Sequence, residues 1–363
     1  MSVTVRDHAS GMALDGIALD GTAPDGEDFA RLADPLRGEL LAHCYRMLGS
    51  VHDAEDQVQE TMMRAWRARG QFEGRSSLRT WLYRIATNSC LRAMENRSRR
   101  PLPSGLGGPG QDPDGPVGAI MPEISWLQPI PDTLVAAESA DPASIAVSRS
   151  SLRLALIAAL QYLPARQRAV LILRDVLGWR ASEVAELLGA STIAVNSMLQ
   201  RARAQLARVS AAEDEVREPA DPDQRALLGR YAAAFERADI TSLTGLLRAD
   251  AVLEMPPIPT WFRGREVIGR FLTARFGQPD QFRMIRTGAN GQPAVAAYLR
   301  GRDGGHHAHA VQVLTFRGPR IARIVSFNDP ALVTLCGLPP SFPAAVSLTP
   351  APGRRPAQGA WPG

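Results

Sequence analysis

Two stretches of this chain carry side chains suited to gripping nucleic acid, and a third could grip a protein. The first stretch is Thr192, Ile193, Asn196, Ser197, Gln200, Arg201 and Arg203, which share the outward side of one helical register. Asn and Gln amides can bond the adenine edge in the major groove, and Arg grips guanine or phosphate with a planar fork. The register is set by Ala185, small where two helices cross, and by Gly189, where the turn needs a left-handed backbone. Val195, with Val184, Leu188 and Met198, would seal the pair, and Ser191 or Thr192 can cap the second helix. This is helix-turn-helix spacing. An ordinary helical hairpin with a glycine turn is the competing reading; the preceding helix Arg166–Leu177 and the basic extension Gln200–Arg208 weigh against it.

The other stretches adjoin each other. Asp53, Asp56, Gln57 and Glu60 recur at i, i+3, i+4 and i+7, an acidic-polar stripe able to dock a basic protein surface. Asp53, Glu55 and Asp56 equally suit the positive end of a helix, so capping and docking weigh the same on spacing. Downstream the sign reverses: Arg64–Arg100 holds ten Arg against Glu73 and Glu95, a local field suited to phosphate. Within it Gly70–Ser77 is polar and glycine-hinged, and could receive an extruded base through Gln71, Phe72, Arg75, Ser76 and Ser77, unless it is a plain interhelical loop. Trp66 and Trp81 lie on apolar stripes and read as core.

These groups need elements to hold them. Apolar periodicity predicts a helical bundle over 34–100 and a second helical unit with the helix-turn-helix over 143–210. Residues 224–340 read as α+β, with helices at Arg225–Arg237, Ile240–Arg248 and Gly264–Phe276. Five strands are expected at Ala251–Met255, Phe282–Ala289, Ala294–Arg300, His309–Phe316 and Ile321–Phe327, with Asn290-Gly291 as a hairpin turn. Between the helical units, 101–142 is dense in Pro and Gly, contains no Arg and carries six carboxylates. It cannot bury enough surface to fold alone and reads as a long tether, with Ile124–Leu127 a sticky spot. Residues 211–223 are a second linker, and disordered tails are expected at 1–33 and 341–363.

Composition sets bounds. All 41 Lys+Arg positions are Arg, as GC-rich coding would produce without any functional demand. Cys44, Cys90 and Cys336 are odd in number and widely spaced, which disfavours disulfides or a zinc site and fits a reducing cytoplasm. No apolar run reaches membrane-spanning length, and the start lacks a signal layout.

The motifs Leu40–Met47, Asp53–Thr61, Arg64-Ala65-Trp66 and Ser77–Asn88 closely resemble region 2 of extracytoplasmic-function sigma factors. Leu163–Val170 and Glu183–Gly189 through Arg201-Ala202-Arg203 look like region 4. Gln224–Leu338, with Tyr231–Glu236 and Glu254–Pro257, resembles an appended SnoaL-like domain of the cone-shaped, NTF2-like kind. The resemblance spans roughly Pro35–Leu338 and implies an alternative sigma factor, not an enzyme, with no cofactor or metal. It implies that Asp53, Asp56, Gln57 and Glu60 dock on the β′ coiled coil of core RNA polymerase, which also offers its β subunit as partner. The Gly70–Ser77 loop with Asn88 and Arg92 would melt and read the −10 element, and the Thr192–Arg203 helix would read −35 duplex. The acidic tether would thread the polymerase cleft as a removable mimic of RNA. Two departures stand out: Gln57 where Leu is usual, and Asn196-Ser197-Met198 in place of Lys-Ser-Arg.

SnoaL-like folds enclose an apolar pocket, so a small ligand is a further expected partner, as is a separate anti-sigma factor. His306, His307, His309, Arg263, Glu254 and Asp329 are the polar candidates there, with the histidines read as a solvated hairpin end. The domain is expected to modulate activity in cis. The rival readings are a stand-alone helix-turn-helix regulator, predicting tight duplex binding without polymerase, and a small-molecule enzyme in the third domain.

Overall fold

The computed structural model describes residues 26–72, 74, 76–95, 98–135, 150–210 and 221–344. The first helical unit comprises α1 (Gly26–Ala33), α2 (Arg37–Leu48), α3 (Val51–Ala68) and α4 (Leu78–Met94). Serines start the two long helices: Ser50 Oγ accepts from Asp53 N at 3.2 Å, and Ser77 Oγ from Thr80 N at 3.1 Å. Leu40, Cys44, Met47, Ala54, Ala65, Leu82 and Ala86 form the common core. Trp66 departs from the sequence expectation: it is 41% exposed, edge-on to Phe29 and topped by the Arg69 guanidinium. Residues 1–33 were expected to be a tail, yet α1 is helical and buries Phe29 and Ala33. The remainder of that segment lies outside the described residues.

One turn, α5 (Asp132–Val135), precedes the second unit: α6 (Leu154–Leu160), α7 (Ala165–Leu171), α8 (Ala181–Leu188) and α9 (Thr192–Ser210). The end of α7 widens into π geometry over Ile172–Val176. The third unit opens with α10 (Asp221–Glu236) and α11 (Ile240–Leu246). β1 (Leu247–Met255), β2 (Ile258–Arg263), α12 (Arg265–Thr273), β3 (Phe282–Ala289) and β4 (Gln292–Arg300) follow. β5 (His306–Arg317), β6 (Arg320–Phe327), α13 (Pro330–Leu335) and β7 (Ser341–Phe342) complete it. The sheet order is β2-β1-β6-β5-β4-β3, with β7 on β5; β1 and β6 run parallel and the other pairs antiparallel. Sequence periodicity missed β2, a short strand with Pro259 inside it, and β7, which falls in the expected tail.

Both faces of this sheet are covered, which explains the nearly unbroken apolar run of β4. Val295, Ala297, Leu314 and Ile324 face a core shared with α10–α12, where Phe235, Phe276 and Phe282 stack 4.5 to 5.4 Å apart. Ala294, Ala296, Tyr298, Val311 and Val313 join the core of the two helical units.

The expected loose tether is a packed strap over 101–135, and 136–142 lie outside the described residues. Its apolar side chains do find cover, but on other elements: Leu127 and Ile130 are fully buried, worth about 2 kcal/mol each. Polar bonds run its length. Ser104 N donates to Glu254 Oε1 at 2.8 Å, Gly110 N to Trp261 O at 2.7 Å, and Trp261 Nε1 to Gly107 O at 2.9 Å. Only glycine fits at 110, since a Cβ would stand 2.9 Å from the Phe262 ring. Asp114 pairs with Arg270, and Gln128 N donates to Gly49 O at 3.0 Å.

His43 Nε2 sits 2.9 Å from Thr87 Oγ1, deep between α2 and α4. Burial, then the nearby Arg46 charge, lowers its pKa from 6.5 to about 3. The unfolded chain therefore takes up this proton first on acidification. The contribution of neutral His43 is whole above about pH 6.5 and is lost below it, at up to about 1.4 kcal/mol per pH unit. In thermal melts from about pH 7.5 down to 5, His43→Gln should lose stability less steeply than the parent. Parallel slopes would show that His43 titrates in the folded state as it does in the unfolded chain, and would overturn the effect of its burial.

Candidate nucleic-acid and protein interfaces

The second helix of the helix-turn-helix presents a clean outward face. Thr192, Ile193, Asn196, Ser197, Gln200, Arg201 and Arg203 are all exposed, while Val195, Leu199 and Ala202 are buried beneath them. Ile193 is 78% exposed, a large apolar side chain left in water at the helix start, where a thymine methyl could cover it. Ser191 is the cap, its Oγ accepting from Ala194 N at 3.1 Å. Gly189 ends α8 at φ 57°, ψ 44°, the left-handed turn expected from its position. Arg166 donates to Leu188 O and ties that turn to α7. Arg203 pairs with Asp175 at 2.7 Å, so its guanidinium is already aimed while still exposed.

The acidic stripe of α3 is uneven. Asp56 is exposed, Gln57 half-buried, and Glu60 is bonded by Arg64 one turn on. Asp53 is largely covered: Arg100 pairs with it, leaving side-chain exposures of 15% and 14%. The same Arg100 donates to Trp126 O at 2.9 Å, so the strap reaches the stripe. In the following loop Gln71 is exposed, Ser76 is half-buried and Phe72 lies against Trp81 at 5.3 Å. The Ser77 hydroxyl caps α4 and bonds Thr80 Oγ1, a structural duty it performs while remaining exposed. Arg75 lies outside the described residues. Asn88 and Arg92 are exposed on α4, so these two share a face, apart from the loop residues.

The two helical units touch. Arg84 on α4 bonds Glu186 on α8 at 2.5 Å, Trp179 stands edge-on to Tyr83 at 6.4 Å, and Arg168 donates to Met47 O. Arg46 Nη2 donates to Ser151 Oγ at 2.7 Å. Where both units meet the sheet, the Asn290 side chain closes the junction. Its Nδ2 donates to Tyr45 Oη at 2.7 Å and to Leu152 O at 2.8 Å, and Ile130 N donates to its Oδ1 at 3.1 Å. Tyr45 Oη in turn donates to Gln128 O at 2.8 Å. Sequence reasoning read Asn290 as a turn residue, which it is, with φ 59°; nothing in the pattern marked the turn as buried.

The polar candidates of the third unit serve local structure. Glu254 is fully buried against Arg323 at 2.9 Å, Arg263 lies over Trp261, and Asp329 caps α13. The histidines are not one solvated turn. His306 starts β5 buried, 3.1 Å from Asp280 O; His307 faces Asp303 in solvent; and burial lowers the pKa of His309. Among the described residues, no His, Cys, Asp or Glu group is placed to hold a metal ion. Nor is any described helix long and apolar enough to cross a membrane.

Family models match three parts of the chain: Sigma-70 region 2 over 32–100, Sigma-70 region 4 over 153–206, and a SnoaL-like domain over 228–324. The ECF RNA polymerase sigma factor SigG of Mycobacterium tuberculosis is 51% identical over 318 residues, covering 87% of this chain and 85% of that protein. SigJ of the same organism is 26% identical over 311 residues, 82% of this chain and 90% of the relative. The crystal structure of SigJ superposes with a TM-score of 0.54 at 24% identity, covering 84% of this chain and 98% of SigJ, a likeness of fold.

The aim of α9 depends on the backbone at residue 189. A Cβ there would meet nothing within 4 Å, so only the left-handed φ is at stake. Gly189→Ala should cost about 1 kcal/mol in denaturant unfolding, and Gly189→Asn clearly less, because Asn tolerates that conformation. Equal losses would assign the cost to packing.

Proposed function

The chain belongs to the extracytoplasmic-function sigma factors, and from that membership we propose how its surfaces divide the work of initiation. As an alternative sigma factor it binds core RNA polymerase and directs promoter-specific transcription. In our reading, Asp53, Asp56, Gln57 and Glu60 dock on the β′ coiled coil. The loop carrying Gln71, Phe72, Arg75, Ser76 and Ser77 melts the −10 element with Asn88 and Arg92. Thr192, Ile193, Asn196, Ser197, Gln200, Arg201 and Arg203 read the −35 element in the major groove. The observation that carries the −35 assignment is the α9 face, wholly exposed, with amides that match adenine, guanidiniums that match guanine or phosphate, and Ile193 that matches a thymine methyl. The domain boundaries proposed are 34–100, 143–210 and 224–340, joined by 101–142 and 211–223. The SnoaL-like domain has an enzyme-like fold, but its aromatic-filled interior and locally committed polar groups support a regulatory role without catalysis.

The compact arrangement is, in this reading, a resting form. The −10 and −35 elements lie about 25 base pairs apart by name, or roughly 80 Å of duplex at about 3.4 Å per pair. Helices joined by Arg84–Glu186 and Tyr83–Trp179 cannot serve both at once, so the units must part. The SnoaL-like domain opposes parting through Asn290 and through the strap it holds at Glu254, Trp261 and Arg270. Strap carboxylates that would later face the basic cleft are engaged here, Asp114 by Arg270 and Asp132 by Gly291 N at 2.7 Å.

Transcription in vitro with core polymerase separates these roles. Asp56→Arg with Glu60→Arg should weaken association with core on the order of tenfold or more. Asn196→Ala with Gln200→Ala should keep association and lose promoter preference, each contact being worth about 1–3 kcal/mol. Full association by the charge-reversed chain would refute the docking face, and intact promoter choice would refute the reader.

Asn290→Gly keeps the left-handed turn and deletes only the latching amide. It should raise transcription at limiting sigma concentration and lower thermal stability by about 2 kcal/mol, as buried partners are left unpaired. Lower stability with transcription unchanged or reduced would show that the junction supports activity, contrary to a resting-form latch.

A further inference from the structure

A cleft of about 320 Å³ opens between the helical units, where the chain leaving α4, the start of α3 and the α6–α7 turn meet. Asp53, Arg99, Arg100, Tyr162 and Arg168 line it. Three guanidinium groups thus face one carboxylate. Arg100 already answers Asp53. Among the described residues, Arg99 meets only Gly105 O at 3.1 Å and the Tyr162 ring, whose centroid is 4.7 Å away.

Arg168 is the more telling group. It is 4% exposed, yet among the described residues all its bonds go to uncharged oxygens: Met47 O, Gln161 Oε1, Gln161 O and Leu163 O. Its Nε–H meets no acceptor among the described residues. A buried cation without a counter-charge is costly, and burial lowers its pKa to about 10.

We propose that this cleft binds a small phosphate-bearing molecule between Arg99 and Arg168, fastening the two helical units together. The Arg99 fork can hold a pair of phosphate oxygens, Arg168 adds uncompensated positive charge beneath them, and the volume matches the lower end of small-molecule sites. Arg99 and Arg100 belong to the first helical unit, and Tyr162 and Arg168 to the second. An occupant therefore favours the compact form by its differential affinity for it. It also covers Asp53. Only this consequence rests on the resting-form reading; the binding itself needs no polymerase.

The test is calorimetric titration of the full chain with inorganic pyrophosphate at constant ionic strength. One saturable site is expected, with a rise in melting temperature. Arg99→Gln should weaken binding on the order of tenfold, because it removes a charge-assisted pair. Arg302→Gln, exposed on the SnoaL-like domain, should leave binding as it was. Absence of saturable binding, or equal weakening in both variants, would overturn the site. Saturating pyrophosphate should also weaken association with core polymerase. If binding holds and association is undiminished, the fastening role is overturned, an outcome distinct from a chain that never associates with core.

Discussion

One buried amide carries the junction on which the compact molecule depends. Asn290 sits at the tip of the β3–β4 hairpin with no exposed surface, and its side chain bonds the first helical unit, the strap and the segment leading into region 4. Its backbone N–H adds a bond to Ile130 O at 2.9 Å. Each such bond is worth only about 1 kcal/mol net, but leaving one partner buried and unpaired costs about 1–3 kcal/mol. The junction is therefore cooperative in a simple sense. It is favourable when all four segments are present and unfavourable when one is withdrawn while the rest stay dry. Such joints yield two discrete arrangements more readily than a continuum.

The strap makes the same economy at larger scale. It has too few apolar residues to fold alone, yet Leu127 and Ile130 are buried because the outer sheet face and α2 are apolar where it lies. That sheet face needs cover: Ala294, Ala296, Tyr298, Val311 and Val313 would meet water without it. A truncated chain lacking the SnoaL-like domain leaves the complementary side bare, so a loss of function on truncation mixes regulation with misfolding. Single-residue changes that keep every domain are the more informative perturbation.

Local chemistry was legible in the sequence, and coincidence in space was not. The Ala185–Gly189–Val195 register, the α9 outward face and the Asn290-Gly291 turn all follow from i, i+4 spacing and glycine or asparagine geometry, and the structure places them so. Strands β3 to β6 were recognisable from apolar runs bounded by turns. Trp66 was misread because a stripe does not say whether a neighbour covers it; α1, on a segment of tail-like composition, covers only one edge. The strap was misread for a related reason: composition reports what a segment can bury by itself, and this one is buried by others. The buried Glu254–Arg323 pair and the Arg84–Glu186 bridge join residues 69 and 102 positions apart, which no local pattern can foresee.

The position of Arg100 ties the SnoaL-like domain to the acidic stripe of α3. It is the last residue before the strap, and it bonds both the Asp53 carboxylate and Trp126 O. Leu127 N also donates to Pro101 O at 3.2 Å, so the strap loops back on its own start beside α3. Further along, the strap is held by Glu254, Trp261, Arg270 and Arg275 of the SnoaL-like domain. Drawing the strap away must disturb Arg100, and with it the Arg100–Asp53 pair. Contacts of this domain can thus set how much of the acidic stripe is presented without touching the stripe. Release of the strap thus takes from Arg100 its anchor at Trp126 and loosens its hold on Asp53, so strap and stripe are coupled through one guanidinium.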